Sequence, residues 1–254
     1  MNTFNSIAGR TALVTGSGRN IGRAIAIALA QNGANVIVNG HSDNISVDQT
    51  VNIINSLGAK SIGIMADVSN TNEVQRLTQT AIQNFGSIDI LVSNVGIRKM
   101  RPFLEISDAE WSDVLATNLS PAFYLSREII PLMQKNNWGR IIFISGIDGF
   151  WGHIVHRAHN VTCKAGLHGL AKALAREFGP DGITSNTVVP GAIDTERDWS
   201  QYAHLPSKEN IEKEIPLHRF GSPDEVASAC VYLCTGGSFI NGQAIHVNGG
   251  QYMY

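Results

Sequence analysis

Short apolar runs alternate with longer amphipathic segments along the whole chain. The runs are "TALVTG" (11–16), "NVIVNG" (35–40), "KSIGIMAD" (60–67), "IDILVSN" (88–94), "RIIFIS" (140–145), "ITSNTVVP" (183–190) and "AIHVNGG" (244–250). They are rich in β-branched residues and lack strict apolar–polar alternation, which predicts strands of a parallel sheet covered on both faces. Between them stand helical patterns: "IGRAIAIALAQNG" closed by Gly33, "DQTVNIINSLG" closed by Gly58, and "NEVQRLTQTAIQNFG". Glycine just past the last periodic residue is a helix stop. Residues 107–135 form a long helical region opened by Ser107 and Glu110, the spacing of a capping box. A further helix carries Lys164, and Ser222, Pro223 and Glu225 announce the last one. Repeated βαβ units predict a doubly wound α/β sheet in a single domain, 1–254.

The irregular stretch 194–221 follows a strand end, is rich in charge and contains two prolines. Ligands of such sheets bind beyond the carboxyl ends of the strands, which makes 194–221 a candidate substrate lid.

Composition narrows the class. The 254 residues are 43% hydrophobic and 16% charged, with a formal net charge of −2. That is a globular composition without the basic footprint of a nucleic-acid or anionic-membrane binder. The first residues lack the pattern of a signal peptide, and no apolar run is long enough to span a membrane. Cys163, Cys230 and Cys234 have no metal-site spacing. Cys230 and Cys234, one helical turn apart, read as packing residues. The expectation is a reduced cytoplasmic protein with no metal site and a small-molecule substrate.

Chemistry first shows in "TGSGRNIG" (15–22), at the first strand–helix junction. Glycines there let the backbone approach a pyrophosphate, and the helix N-terminus offers unpaired N–H groups. The second strand ends "VNGHS", with no carboxylate near Gly40 to bind a ribose 2′-hydroxyl. Arg19, His41 and Ser42 suit a 2′-phosphate instead, so NADP(H) is favoured over NAD(H).

Together these stretches resemble the short-chain dehydrogenase/reductase family over nearly the whole chain, which implies a Rossmann-type fold. "TGSGRNIG" is similar to the family's TGxxxGxG loop, implying cofactor contacts from Gly16, Ser17, Arg19, Asn20, Ile21 and Gly22, with Asn20 at the usual second glycine. The resemblance assigns Asp67 and Val68 to the adenine, and "SNVG" (Asn94, Gly96) to the family's NNAG. It also places "PGAIDT" (Pro190, Gly191, Ile193, Thr195) beside the nicotinamide. Asn118 in "ATNLS" stands where the family keeps a catalytic asparagine, and Asn248 where aspartate is usual. The family commonly pairs through helices corresponding to 107–135 and 160–178, implying a homodimer or homotetramer.

Family catalysis uses Ser, Tyr and Lys. Here the YxxxK pattern reads "NVTCK": Lys164 is present as catalytic and ribose-binding residue, but Asn160 replaces the tyrosine. The serine position falls at Gly146, with Ser145 one residue away as the alternative. A carboxamide can donate a hydrogen bond to an oxyanion, but it surrenders no proton. The segment "GFWGHIVHRAHN" offers His153, His156 and His159 as substitutes. If the helix already runs at 156, then His156, Asn160 and Lys164 share one face at i, i+4 and i+8. Asp148 and Asp194 are carboxylates near the same mouth, and Phe150 and Trp151 could wall a substrate.

Three functions stay open. One is an NADP(H)-dependent oxidoreductase of a carbonyl/alcohol pair, its proton coming from His156 or from water relayed through Asn118 and Lys164. Another is a lyase, hydratase or isomerase on the same scaffold. The last is a non-catalytic cofactor sensor.

Overall fold

The computed structural model describes residues 6–152, 154–196 and 207–253. Seven parallel strands form one sheet: β1 (Thr11–Val14), β2 (Asn35–Gly40), β3 (Ser61–Met65), β4 (Ile90–Ser93), β5 (Gly139–Ile144), β6 (Ile183–Pro190) and β7 (Ala244–Val247). Their order is β3-β2-β1-β4-β5-β6-β7. The chain reverses direction of travel between β1 and β4, which opens a crevice at their carboxyl ends.

The lack of alternation in the strands has a direct structural cause. Ala12 and Val14 of β1 pack in one apolar layer with α1 (Asn20–Gln31), α2 (Asn44–Ser56) and α8 (Pro223–Thr235). Leu13, between them, packs in the opposite layer with α3 (Thr71–Phe85), α5 (Ser120–Lys135) and α6 (Ala158–Phe178). Both faces are buried, so both sets of positions are apolar. Cys230 and Cys234 lie in the first layer as buried free thiols.

Helix ends follow the predicted stops. Gly86 closes α3 in the left-handed conformation (φ 80°), its N–H donating to Ile82 O at 2.7 Å. Ser222 and Glu225 form the reciprocal capping box of α8. At Ser107 only the serine arm holds, accepting from Glu110 N at 3.1 Å. The Glu110 carboxylate is turned instead to Arg101, at 3.0 Å.

Residues 107–135 are not one helix. α4 (Asp108–Asn118) ends at Leu119 (φ −119°, ψ −50°) and α5 starts at Ser120. Pro121, in the first turn of α5, has no N–H to continue the earlier ladder. The break leaves Asn118 as the last residue of α4, beside the crevice. Within the candidate lid, α7 (Lys208–Glu214) is capped by Ser207, and 197–206 lie outside the described residues.

Candidate active site

Above β1 and β4 opens a cavity of about 820 Å³, running from Arg19 and His41 past Asp67 and Val68 to Gly96, Thr117 and Thr195. Its inner end meets a recess of about 100 Å³, lined by Gly146, Lys164, Pro190, Gly191 and Ile193 among others.

The glycine loop is pressed onto the first helix. Gly16 has φ +60°, and a Cβ on Gly22 would sit 2.2 Å from Gly16 O and 2.7 Å from Asn94 Nδ2. Asn94 Nδ2 donates to Thr15 O (3.0 Å) and Gly16 O (3.2 Å), which fixes the loop against β4. Ser17 is wholly buried. Its Oγ donates to Val14 O and accepts from Asn39 N, so it braces the loop rather than lining the cavity. Arg19 at the N-cap of α1 makes no side-chain cap bond, and the first turn of α1 carries no acidic residue. Asn20 holds a left-handed backbone (φ 52°) and exchanges two hydrogen bonds with the Glu196 backbone, at 3.1 and 2.9 Å. Asparagine tolerates that conformation, which explains its place where glycine is usual.

At the end of the cavity near His41, Asp67 accepts from Ser69 N (2.9 Å) and Ser69 Oγ (2.7 Å). Burial opposes its charge, but those two bonds hold the carboxyl below its ordinary range. His41 Nε2 lies 4.0 Å from the Asp67 carboxylate. The Asn39 carboxamide is spent on backbone, donating to Gly40, Ile64 and Ala66 carbonyls. Ser42 is exposed and does not line the cavity.

At the other end, Lys164 Nζ donates to Ile144 O at 2.9 Å and lines the recess. Burial first, then the neighbouring Arg98 guanidinium, push its ammonium down to about 8. Asn160 is 3% exposed and turned away from the recess. Its Oδ1 accepts from Asn118 Nδ2 at 2.8 Å, and its Nδ2 donates to Lys99 O at 3.1 Å. Asn118 also donates to Ile97 O (2.8 Å) and accepts from Ile97 N (2.7 Å). The two carboxamides thus tie α4, α6 and the loop after β4 together.

Ser145 and Gly146 point to opposite sides, as neighbours on an extended chain do. Ser145 Oγ lies 3.0 Å from His168 Nε2 and 3.1 Å from Lys164 O, within the β5–α6 interface. A Cβ on Gly146 would meet nothing nearer than Pro190 O at 3.9 Å. Both residues line the recess; the Ser145 hydroxyl is turned to His168 and the Lys164 carbonyl, and position 146 presents no side chain there.

The histidines do not share the face that the helical spacing allows. α6 starts at Ala158, and His156 precedes it with φ +66°, exposed, its carbonyl accepting from Arg101 N. His156 lines neither cavity. His159 is fully buried, accepts from Asn160 N through Nδ1 (2.9 Å) and faces Glu110 at 3.4 Å through Nε2. That pattern places its proton on Nε2 and makes it a brace for Asn160. His153 lies outside the described residues. Asp148 pairs with Arg157 (3.2 Å) and Asp194 with Lys208 (3.0 Å). Phe150 and Trp151 stack towards Tyr252 rather than the recess, and Phe150 packs 4.3 Å from His168.

Residues 16–251 match the family model described as enoyl-(acyl carrier protein) reductase. The chain belongs to the short-chain dehydrogenase/reductase family. It is 39% identical over 245 residues to a 3-oxoacyl-(acyl-carrier-protein) reductase of Aquifex aeolicus, covering 96% of this chain and 98% of the relative. The Escherichia coli reductase of the same name is 39% identical over 246 residues, with the same coverage. Among solved structures, a protein assigned as a short-chain alcohol dehydrogenase of Sinorhizobium meliloti superposes with TM-score 0.91 at 31% identity, over 96% of each chain. One assigned as a gluconate dehydrogenase of Agrobacterium tumefaciens gives 0.90 at 32%, over 97% of each. The chain is thus a Rossmann-fold member of an NAD(P)-binding oxidoreductase family. No described helix is long and apolar enough to cross a membrane, and no described group of three or more His, Cys, Asp or Glu is set to hold a metal.

Two residues of this short-chain dehydrogenase/reductase escaped the sequence reading. Arg98 lines both cavities, and the signal for it was its place two residues after Gly96. His168 is the other. Its Nε2 contacts Ser145 Oγ and its Nδ1 lies 2.9 Å from Thr187 Oγ1. Burial first, then the charges of His246, Lys172 and Lys164, push His168 down to about 4 from 6.5. The unfolded chain therefore takes up a proton that the fold refuses, so stability present above pH 6.5 is lost as pH falls towards 4. The expected loss is up to about 3 kcal/mol. Urea midpoints measured at neutral and acid pH for wild type and His168→Gln check it. The variant should lose less, because other groups titrate alike in both proteins. Equal losses would reject the assignment.

Proposed function

We propose that this chain is an NADP(H)-dependent oxidoreductase of a small-molecule carbonyl/alcohol pair, and that Lys164 supplies the proton through water in place of a phenol. The observation that carries the reading is the recess itself: an ammonium on its wall, with the Asn160 carboxamide committed to Asn118 and Lys99. The names of the relatives, a 3-oxoacyl reductase and alcohol and gluconate dehydrogenases, support the same substrate class.

The residues fit a nicotinamide dinucleotide. Only glycine is accommodated at 22, so backbone can reach a pyrophosphate, and Arg19 at the open N-terminus of α1 adds a cation. Asn39 is spent on backbone carbonyls, leaving no carboxylate at the end of β2 for a ribose 2′-hydroxyl, while Arg19 and His41 face the cavity. That supports NADP(H) over NAD(H). When bound, the dinucleotide gives or takes the hydride.

The chain's own part is positioning and proton supply. Lys164 keeps one N–H on Ile144 O and has others to offer to a water or to the substrate oxygen. The ammonium gives up one proton, the substrate oxygen gains it, and the lysine recovers it from solvent through the open cavity. Asn118 and Asn160 hold the rim. Of the two proton sources expected from the sequence, the position of Lys164 supports the water relay, and the placement of His156 outside both cavities weighs against His156 as the donor.

Fluorescence titration with NADPH and NADH is the test. NADPH is expected to bind at least about tenfold tighter, the scale of one charge-assisted contact. Tighter NADH binding would overturn the cofactor assignment, and binding of neither would sink the oxidoreductase reading.

A further inference from the structure

The recess carries two cations, Lys164 and Arg98, and no Asp or Glu among its described lining residues. The other cations around the mouth are neutralised. Lys99 pairs with Asp113 at 2.5 Å, Arg101 with Glu110 at 3.0 Å, and Arg157 with Asp148 at 3.2 Å. Arg98, on the same loop as Lys99 and Arg101, is exposed to the cavity and has no hydrogen bond or ion pair with any described residue. It lies near enough to Lys164 for the two charges to oppose each other. Two like charges facing an open volume are costly to hold together, and an anion between them removes that cost.

We propose that Arg98 is a specificity residue, receiving a carboxylate that the substrate carries beside its reacting carbonyl or alcohol. This rests on the oxidoreductase reading above. The guanidinium fork matches a carboxylate through two parallel N–H donors. Bound there, the anion places the adjoining carbon in the recess that Lys164 lines. A small oxo or hydroxy acid meets this requirement, and a neutral ketone of equal size leaves Arg98 unpaired. The same oxyanion chemistry could come instead from the pyrophosphate of the dinucleotide, since Arg98 lines the larger cavity as well.

Calorimetric titration of the NADP⁺-loaded protein with malonate, and with uncharged malonamide, separates these sources. Malonate is expected to bind and malonamide to bind at least about tenfold more weakly. Arg98→Met should weaken malonate by at least about tenfold while leaving NADP⁺ affinity unchanged, and Arg98→Lys should restore part of the loss. Unaltered thermal unfolding of the variants excludes loss of fold. Malonate binding that is absent in wild type, or equal in Arg98→Met, overturns the proposal. So does a fall in NADP⁺ affinity in Arg98→Met with malonate competing against NADP⁺, which would assign Arg98 to the cofactor. If wild type binds no NADP⁺, the oxidoreductase reading fails separately. Malonate titrated against unloaded wild type and Arg98→Met then decides the role of Arg98 alone.

Discussion

Replacing Lys164 by methionine should lower turnover of the carbonyl substrate by about 10²- to 10⁴-fold, the range of a positioned proton donor. The side-chain volume is nearly kept and the Ile144 carbonyl loses one donor, so the fold should survive. NADPH affinity, read by fluorescence in the same variant, separates the proton from any grip on the cofactor: it should fall far less than turnover. The pH profile gives a second readout. Reduction consumes the ammonium form, and Lys164 is held down to about 8 by burial and by Arg98. The rate of reduction should therefore be level below that pH and decline above it, while alcohol oxidation, which needs the free amine, should do the reverse. Lys164→Arg keeps a charge but cannot release a proton near neutrality, so it should stay inactive at every pH. His156→Ala should leave activity unchanged. A wild-type reduction rate that stays level far above pH 8 would remove Lys164 as the source.

Gly22→Ala should have the second large effect, on cofactor binding. The new Cβ would lie 2.2 Å from Gly16 O, a backbone atom that cannot rotate away, and 2.7 Å from the Asn94 amide that anchors it. The loop must lift from α1, and the N–H groups of the first turn lose the phosphate position they share with it. NADPH affinity is expected to fall by at least about 100-fold, as several charge-assisted contacts fail together. Gly58→Ala is the control for glycine loss alone. Gly58 also has positive φ (83°), but a Cβ there meets nothing within 4 Å. Retained NADPH binding in Gly22→Ala would mean that the close helix–loop packing is not what shapes the site.

The strands, their order of appearance and most helix stops were legible because burial on both faces and left-handed glycines leave local marks. The split at Leu119 was missed, since 107–135 keeps helical periodicity across Pro121 and only tertiary packing separates α4 from α5. His156 followed from spacing alone, and spacing cannot tell whether a helix has begun. Ser145 and Gly146 both line the recess, and which way a hydroxyl there turns is a matter of packing that no local pattern shows. Asn160 was visible as a residue without a proton to give; that its amide is consumed by Asn118 and Lys99 was not. Arg98 was overlooked for a related reason. A cation looks the same in sequence whether or not a carboxylate neutralises it, and its neighbours Lys99 and Arg101 find theirs 14 and 9 residues further on.

The paired hydrogen bonds between Asn20 and the Glu196 backbone join the start of α1 to the segment after β6 across the rim of the large cavity, 176 residues apart in the chain. They act as a clasp between the phosphate loop and the segment that follows β6. A nucleotide lying beneath would be retained for as long as both bonds hold. Shortening the side chain at position 20 would open the clasp and hasten departure, and because Asn20 lines the same cavity it would also remove that residue's own contact with the ligand.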